Sequence, residues 1–218
     1  MKKILILLSF FLAGELGAQS FDKVFVFLNK NPNKEVLTEE EETQLINKHF
    51  TNMAVWDKEE KLLNAGPFEG GGGVFVMNSN SVDTVKQWLK SDPAIVANRW
   101  LVELYPFTIN YGGSCKSQPP YEMVTYQFIR YAPTNEIANY KSNSSVNNNS
   151  AFNGLIGSLK QNEQLLMEGH FASNDGGVLI VKDDIGVDLI KSSPIMNVGS
   201  LTFHYNKLWI AKGSFCEK

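Results

Sequence analysis

Three histidines and two cysteines are the soft-metal ligands of this 218-residue sequence. No CxxC or HExxH spacing arranges them, so no zinc site is expected. Also missing are the GxSxG elbow of a serine hydrolase and the GxxxxGK[ST] loop of a nucleotide-binding protein. The run Gly70-Gly71-Gly72-Gly73 enters no helix and precedes no lysine, so it reads as a hairpin turn rather than a phosphate nest. Positive charge is scarce: 20 Lys and Arg against 23 Asp and Glu give a net charge of −3. Without a basic tract there is no electrostatic footprint for nucleic acid or an anionic membrane. The one long apolar run, 4–12, is too short to span a bilayer. No nucleic-acid partner, no stable membrane anchor, no metal and no cofactor are therefore expected.

That apolar run follows Lys2 and Lys3 and ends in the small residues Gly17-Ala18, which is the pattern of a secretory signal peptide over 1–20. Leu16 suits a cut after Ala18 poorly, so the exact bond stays open, and with no cysteine after the run a lipid anchor is not expected. The protein is then exported, periplasmic or secreted. In such a compartment two cysteines usually bridge. Cys115 and Cys216 sit at matching positions of an internal repeat and can meet only near its axis; the alternative is two free thiols.

The repeat is the dominant signal. Lys61-Leu62-Leu63-Asn64-Ala65-Gly66-Pro67-Phe68 followed by Gly73-Val74-Phe75-Val76 returns as Gln164-Leu165-Leu166-Met167-Glu168-Gly169-His170-Phe171 followed by Gly177-Val178-Leu179-Ile180. Ser91-Asp92-Pro93 is answered by Ser192-Ser193-Pro194. An offset of about one hundred residues marks a duplicated domain, not a solenoid. The expected organisation is a first unit over 21–111, a Gly- and Pro-containing linker over 112–120, and a second, degenerate unit over 121–218.

In the first unit, Val24 to Leu28 reads as a buried strand. Thr38 and Glu41 form a capping box that starts a helix carrying Ile46, Phe50 and Met53, either continuous or broken near Asn47. Strands over 62–68 and 74–77, a helix over 81–90 and a strand over 100–107 complete βαββαβ, an antiparallel sheet with both helices on one face. The second unit repeats this with strands over 122–130, 165–169 and 178–181, helices near 152–159 and 187–190, and a strand from Leu201; its Asn- and Ser-rich stretch over 139–150 reads as a flexible loop. Each unit leaves a sheet face bare. The fold class is therefore α+β, two ferredoxin-like units packed sheet to sheet as an intrachain pseudo-dimer, a monomer rather than an obligate oligomer.

His49, followed by Leu62-Leu63-Asn64-Ala65-Gly66-Pro67, then a strand, a helix, Ser91-Asp92-Pro93 and a closing Tyr105-Pro106-Phe107, resembles the YCII-related family of the dimeric α+β barrel superfamily. The resemblance covers the whole first unit and, weakly, the second. It implies a dimeric α+β barrel with an active-site pair, His49 and Asp92, and its relatives of similar fold include small isomerases and lyases. The residues alone allow less: His49 also reads as a surface histidine on a polar helix turn, and Asp92 before Pro93 as an exposed helix-end turn. A carboxylate that accepts from one imidazole nitrogen fixes the tautomer and raises the basicity of the other, which suits a general base.

In the second unit the positions of the pair fall on Phe152 and Ser193, so both members are missing and any site belongs to the first unit, the second supplying wall residues. Glu168 and His170 share a strand face and read as an exposed hydrogen-bonded pair. His204 and Trp56, Trp88, Trp100 and Trp209 read as packing residues, His204 also as a surface one. Three function classes fit: a small lyase or isomerase using His49 and Asp92, a non-catalytic module binding a small-molecule ligand, or a structural protein.

Overall fold

A computed structural model describes residues 21–117, 119–134, 150–172 and 176–216. The signal-like segment and nearly all of the Asn- and Ser-rich stretch lie outside the described residues. The first half runs β1 (Lys23–Lys30), α1 (Glu39–Lys58), β2 (Leu62–Pro67), β3 (Gly73–Met77), α2 (Val82–Leu89), α3 (Pro93–Val96) and β4 (Trp100–Gly112). The second runs β5 (Met123–Pro133), α4 (Ser150–Gln161), β6 (Leu165–Phe171), β7 (Gly177–Val181), α5 (Asp184–Ser192), α6 (Ile195–Val198) and β8 (Leu201–Ala211). The fold is α+β, with helices packed on an eight-stranded antiparallel sheet.

All eight strands belong to one antiparallel sheet in the order β2-β3-β1-β4-β6-β7-β5-β8. The halves meet edge to edge, not only face to face, because β4 extends past its expected end and pairs with β6 from Phe107↔Phe171 to Gly112↔Met167. The outer strands of that order also touch, through a Phe68↔Leu208 bridge and a bond from Glu69 N to Lys207 O of 2.9 Å, which curls the sheet into a barrel. Glycine at repeat-equivalent positions permits both contacts. A β-carbon at Gly66 would lie 2.7 Å from the Trp209 carbonyl oxygen, and one at Gly169 would collide with the Phe107 ring. The hairpin between β2 and β3 turns on Gly70, Gly71 and Gly72, each at positive φ, which only glycine adopts freely.

Every strand sends side chains into the barrel, where Phe25, Phe27, Phe107, Phe128 and Phe171 dominate one core cluster. Two further clusters lie under the helices, one around Trp56, Phe75 and Val85, the other around Tyr131, Phe152 and Leu159. The capping box of Thr38 and Glu41 forms as expected. Of the two alternatives at Asn47 the continuous helix is the one formed, and α1 runs unbroken for 20 residues because its buried face continues from His49 to Trp56. Trp209 is 52 % exposed on the outer face of β8, contrary to its expected place in a core or interface. No helix among the described residues is long and apolar enough to cross a membrane.

Candidate active site

Asp92 follows α2 and precedes Pro93, whose ring fixes φ for the first turn of α3. One carboxylate oxygen of Asp92, Oδ1, caps that turn by accepting from the Ala94 and Ile95 amides at 3.0 and 3.1 Å. The other, Oδ2, lies 2.8 Å from His49 Nδ1 and accepts from Asn52 Nδ2 at 3.2 Å. Ser91 Oγ in turn donates to Asn52 Oδ1 at 3.1 Å. Two residues 43 positions apart meet because α1 and the segment after α2 lie side by side on the sheet.

The surroundings correct the expectation of an exposed helix-end carboxylate and a surface histidine: Asp92 is 0 % and His49 5 % exposed. The imidazole stacks on Phe75 with 6.0 Å between ring centroids and 27° between planes, and lies 5.0 Å from the Trp100 ring. A carboxylate can only accept, so the short contact puts the histidine proton on Nδ1 and leaves Nε2 of the neutral ring with a lone pair. Among the described residues no hydrogen bond reaches that nitrogen. This is the geometry of an oriented base, and equally of a buried tie between α1 and α3.

A cleft of about 320 Å³ opens one helical turn further along α1, between Met53, Leu62 and Asn64 on one side and Lys116, Met123 and Ser214 on the other. Its walls come from both halves, and neither His49 nor Asp92 lines it. Asn64 fixes one side, donating to the Cys115 carbonyl at 3.0 Å while accepting from Ser114 Oγ. Cys115 and Cys216 form a disulfide with 5.6 Å between their α-carbons. A second cleft, about 450 Å³, lies along the β2–β8 contact beside Trp209 and Lys207.

In the second half, Phe152 packs at 4.9 Å against the Tyr131 ring, and Ser193 Oγ is buried with no hydrogen-bond partner among the described residues. Glu168 is not the exposed residue expected: it is 5 % exposed, and accepts from Asn110 Nδ2 at 3.0 Å and Tyr131 OH at 3.3 Å. Asn110 Nδ2 also lies 2.9 Å from His170 Nδ1, so Glu168 and His170 are joined through it. Burial pushes the Glu168 carboxyl above its ordinary range, against those hydrogen bonds and Lys160, and pushes the His170 imidazole down. His204 lies on the exposed surface.

A third polar group had no place in the sequence reading. Glu103 accepts from Asn29 Nδ2 at 2.7 Å, Tyr105 OH at 2.8 Å and Arg130 Nη2 at 3.0 Å. Burial raises the Glu103 carboxyl, yet the Tyr105, Arg130 and Asn29 contacts outweigh it and hold it below its ordinary range. Burial and Glu103 together raise the Tyr105 phenol. Strand parity was the available signal, since Glu103 and Tyr105 alternate with Phe107, and Arg130 with Phe128, toward the barrel interior. No group of three or more His, Cys, Asp or Glu among the described residues could hold a metal ion.

No family model matches this chain, and no curated protein matches it. Among solved structures, a candidate monooxygenase of Fusobacterium nucleatum subsp. nucleatum superposes with a TM-score of 0.48 at 10 % identity, over 92 % of this chain and 96 % of that one. A likeness that loose carries no argument about chemistry.

Proposed function

We propose that this is an exported protein of the YCII-related kind, a small lyase or isomerase in which His49 acts as general base and Asp92 orients it. In this reading the chain is a duplicated, intrachain pseudo-dimer, with units over 21–111 and 121–218 joined by 112–120. His49 Nε2 takes a proton from a carbon next to a carbonyl, Asp92 stabilises the imidazolium so formed, and the proton returns at another position. No metal or nucleotide is needed for that sequence. The observation that carries the reading is the 2.8 Å contact from His49 Nδ1 to Asp92, with Nε2 left without a hydrogen bond among the described residues. The Cys115–Cys216 bridge supports export, because a reducing cytosol keeps such pairs as thiols.

The cleft of about 320 Å³ that neither His49 nor Asp92 lines favours a second reading, a binding module that holds a small molecule without turning it over. Deuterium uptake from D2O at the α-carbon of small keto acids and lactones separates the two. Catalysis predicts uptake with the parent protein and none with His49→Ala, whereas binding without uptake in both supports the module.

A further inference from the structure

The barrel end where β1 and β5 finish and β4 and β8 begin carries a group of side chains that the proposed chemistry leaves unused. Arg130 is its centre. In the strand register Phe27 faces Val74, and Arg130 faces Val178, the repeat counterpart of Val74. A guanidinium therefore stands where the first half has a phenyl ring, on the inward face of the barrel strands.

That guanidinium is held in one place. Its centre lies 4.3 Å from the Phe27 ring centroid and 5.0 Å from that of Tyr105, a stacked cation–π arrangement. Nη2 donates to Glu103 Oε2 at 3.0 Å and to Tyr105 OH at 2.7 Å, and Asn29 holds the second oxygen of Glu103. Among the described residues no acceptor takes Nε or Nη1, and 24 % of the side chain remains exposed. Its cross-strand neighbour on β8 is His204, which occupies the place that Glu103 has beside Phe27. Arg130 and His204 thus share one face at this end, and Asn29, Tyr105 and Arg130 take three of the roughly four acceptor sites of Glu103.

We propose that this barrel end binds an oxyanion, a carboxylate or phosphate group carried by a small molecule, on the Nε and Nη1 donors of Arg130 with His204 beside it. A planar guanidinium held by cation–π contacts and one ion pair keeps Nε–H and the Nη1 hydrogens as pre-oriented, charge-assisted donors, each able to give a single hydrogen bond to an oxyanion. The site draws on strands of both halves and is separate from His49 and Asp92, so it stands or falls independently of the chemistry proposed there.

Calorimetric titration of the full chain with sodium phosphate and with sodium benzoate, at fixed ionic strength, tests it. Saturable one-to-one binding of either probe is expected, and the one that binds identifies the class of oxyanion. Arg130→Lys keeps the charge and the Glu103 pair but loses the Nε and Nη1 donors, and should weaken binding at least about tenfold. Glu103→Gln removes the neighbouring negative charge and should tighten binding, a change of sign that a loss of folding cannot imitate. No saturation with either probe, or parent-like affinity in both variants, overturns the proposal.

Discussion

Asp92 serves two elements at once, and its substitution separates a capping role from an orienting one. Asparagine at 92 can still cap α3 through its carbonyl oxygen, but its amide then faces two donors, His49 Nδ1 and Asn52 Nδ2. The imidazole escapes that clash only by moving its proton to Nε2, which removes the lone pair the base needs. Asp92→Asn should cost about 1–3 kcal/mol, the penalty for buried unsatisfied groups, rather than the near-zero cost of an exposed carboxylate. Urea denaturation of the two proteins measures it. Glu168 makes the opposite case. Because burial raises its carboxyl in the folded state, folding favours the protonated form. Stability from this group is present below the unfolded carboxylate range and is lost as pH rises through the raised folded value. His170, pushed down, works in the other direction, gaining stability as pH rises toward the ordinary imidazole range. Relative to the parent, Glu168→Gln should therefore gain stability as pH rises above the unfolded carboxylate value of about 4.3, with the gap closing below it. A denaturation series across that range, showing a constant gap or none, would contradict the assignment.

At the scale of elements, the glycines of the repeat decide whether strands can approach. Gly66 sits against the Trp209 carbonyl on β8, and Gly169 against the Phe107 ring on β4. Neither position lies at positive φ, so alanine is excluded by space rather than by backbone conformation. Gly169→Ala should cost about 1–3 kcal/mol by overpacking, and Gly66→Ala a similar amount, read as lowered melting temperatures. Most elements could be read from period and capping: the strands from their apolar runs, α1 from Thr38 and Glu41, and the second half from its likeness to the first. The approach of His49 and Asp92 followed from the order of those elements together with the resemblance of the first unit. What could not be read were properties set by distant partners. The pairing of β4 with β6 depends on residues some sixty positions apart, Glu168 is buried by Asn110 and Tyr131 from other strands, and the exposure of Trp209 follows from where the helices stop covering β8. The helix through Asn47 continued because tertiary burial of His49 and Trp56 outweighs one residue of weak propensity.

On the scale of the whole molecule, the two halves are tied covalently at one end of the barrel and by the sheet elsewhere. The Cys115–Cys216 bridge spans 101 positions, and beside it Cys115 N donates to Ser214 O at 2.9 Å and Cys216 N to Gly113 O at 3.2 Å. Those bonds persist without the bridge, so replacing both cysteines by serine should lower stability by about 2–5 kcal/mol while leaving the strand order intact. Chemical denaturation gives the first quantity, and hydrogen-exchange protection across β4 and β6 the second.

The central claim is that His49 is a base a small molecule can reach and not only a tie between α1 and α3. Native-state modification with diethyl pyrocarbonate, mapped by mass spectrometry, tests it directly, because the reagent acylates only an accessible, unprotonated imidazole nitrogen. The account predicts modification at His49 in the folded protein, with the exposed His204 as internal standard. Modification of His204 with His49 untouched until the protein is denatured would make the pair a structural tie and contradict the account.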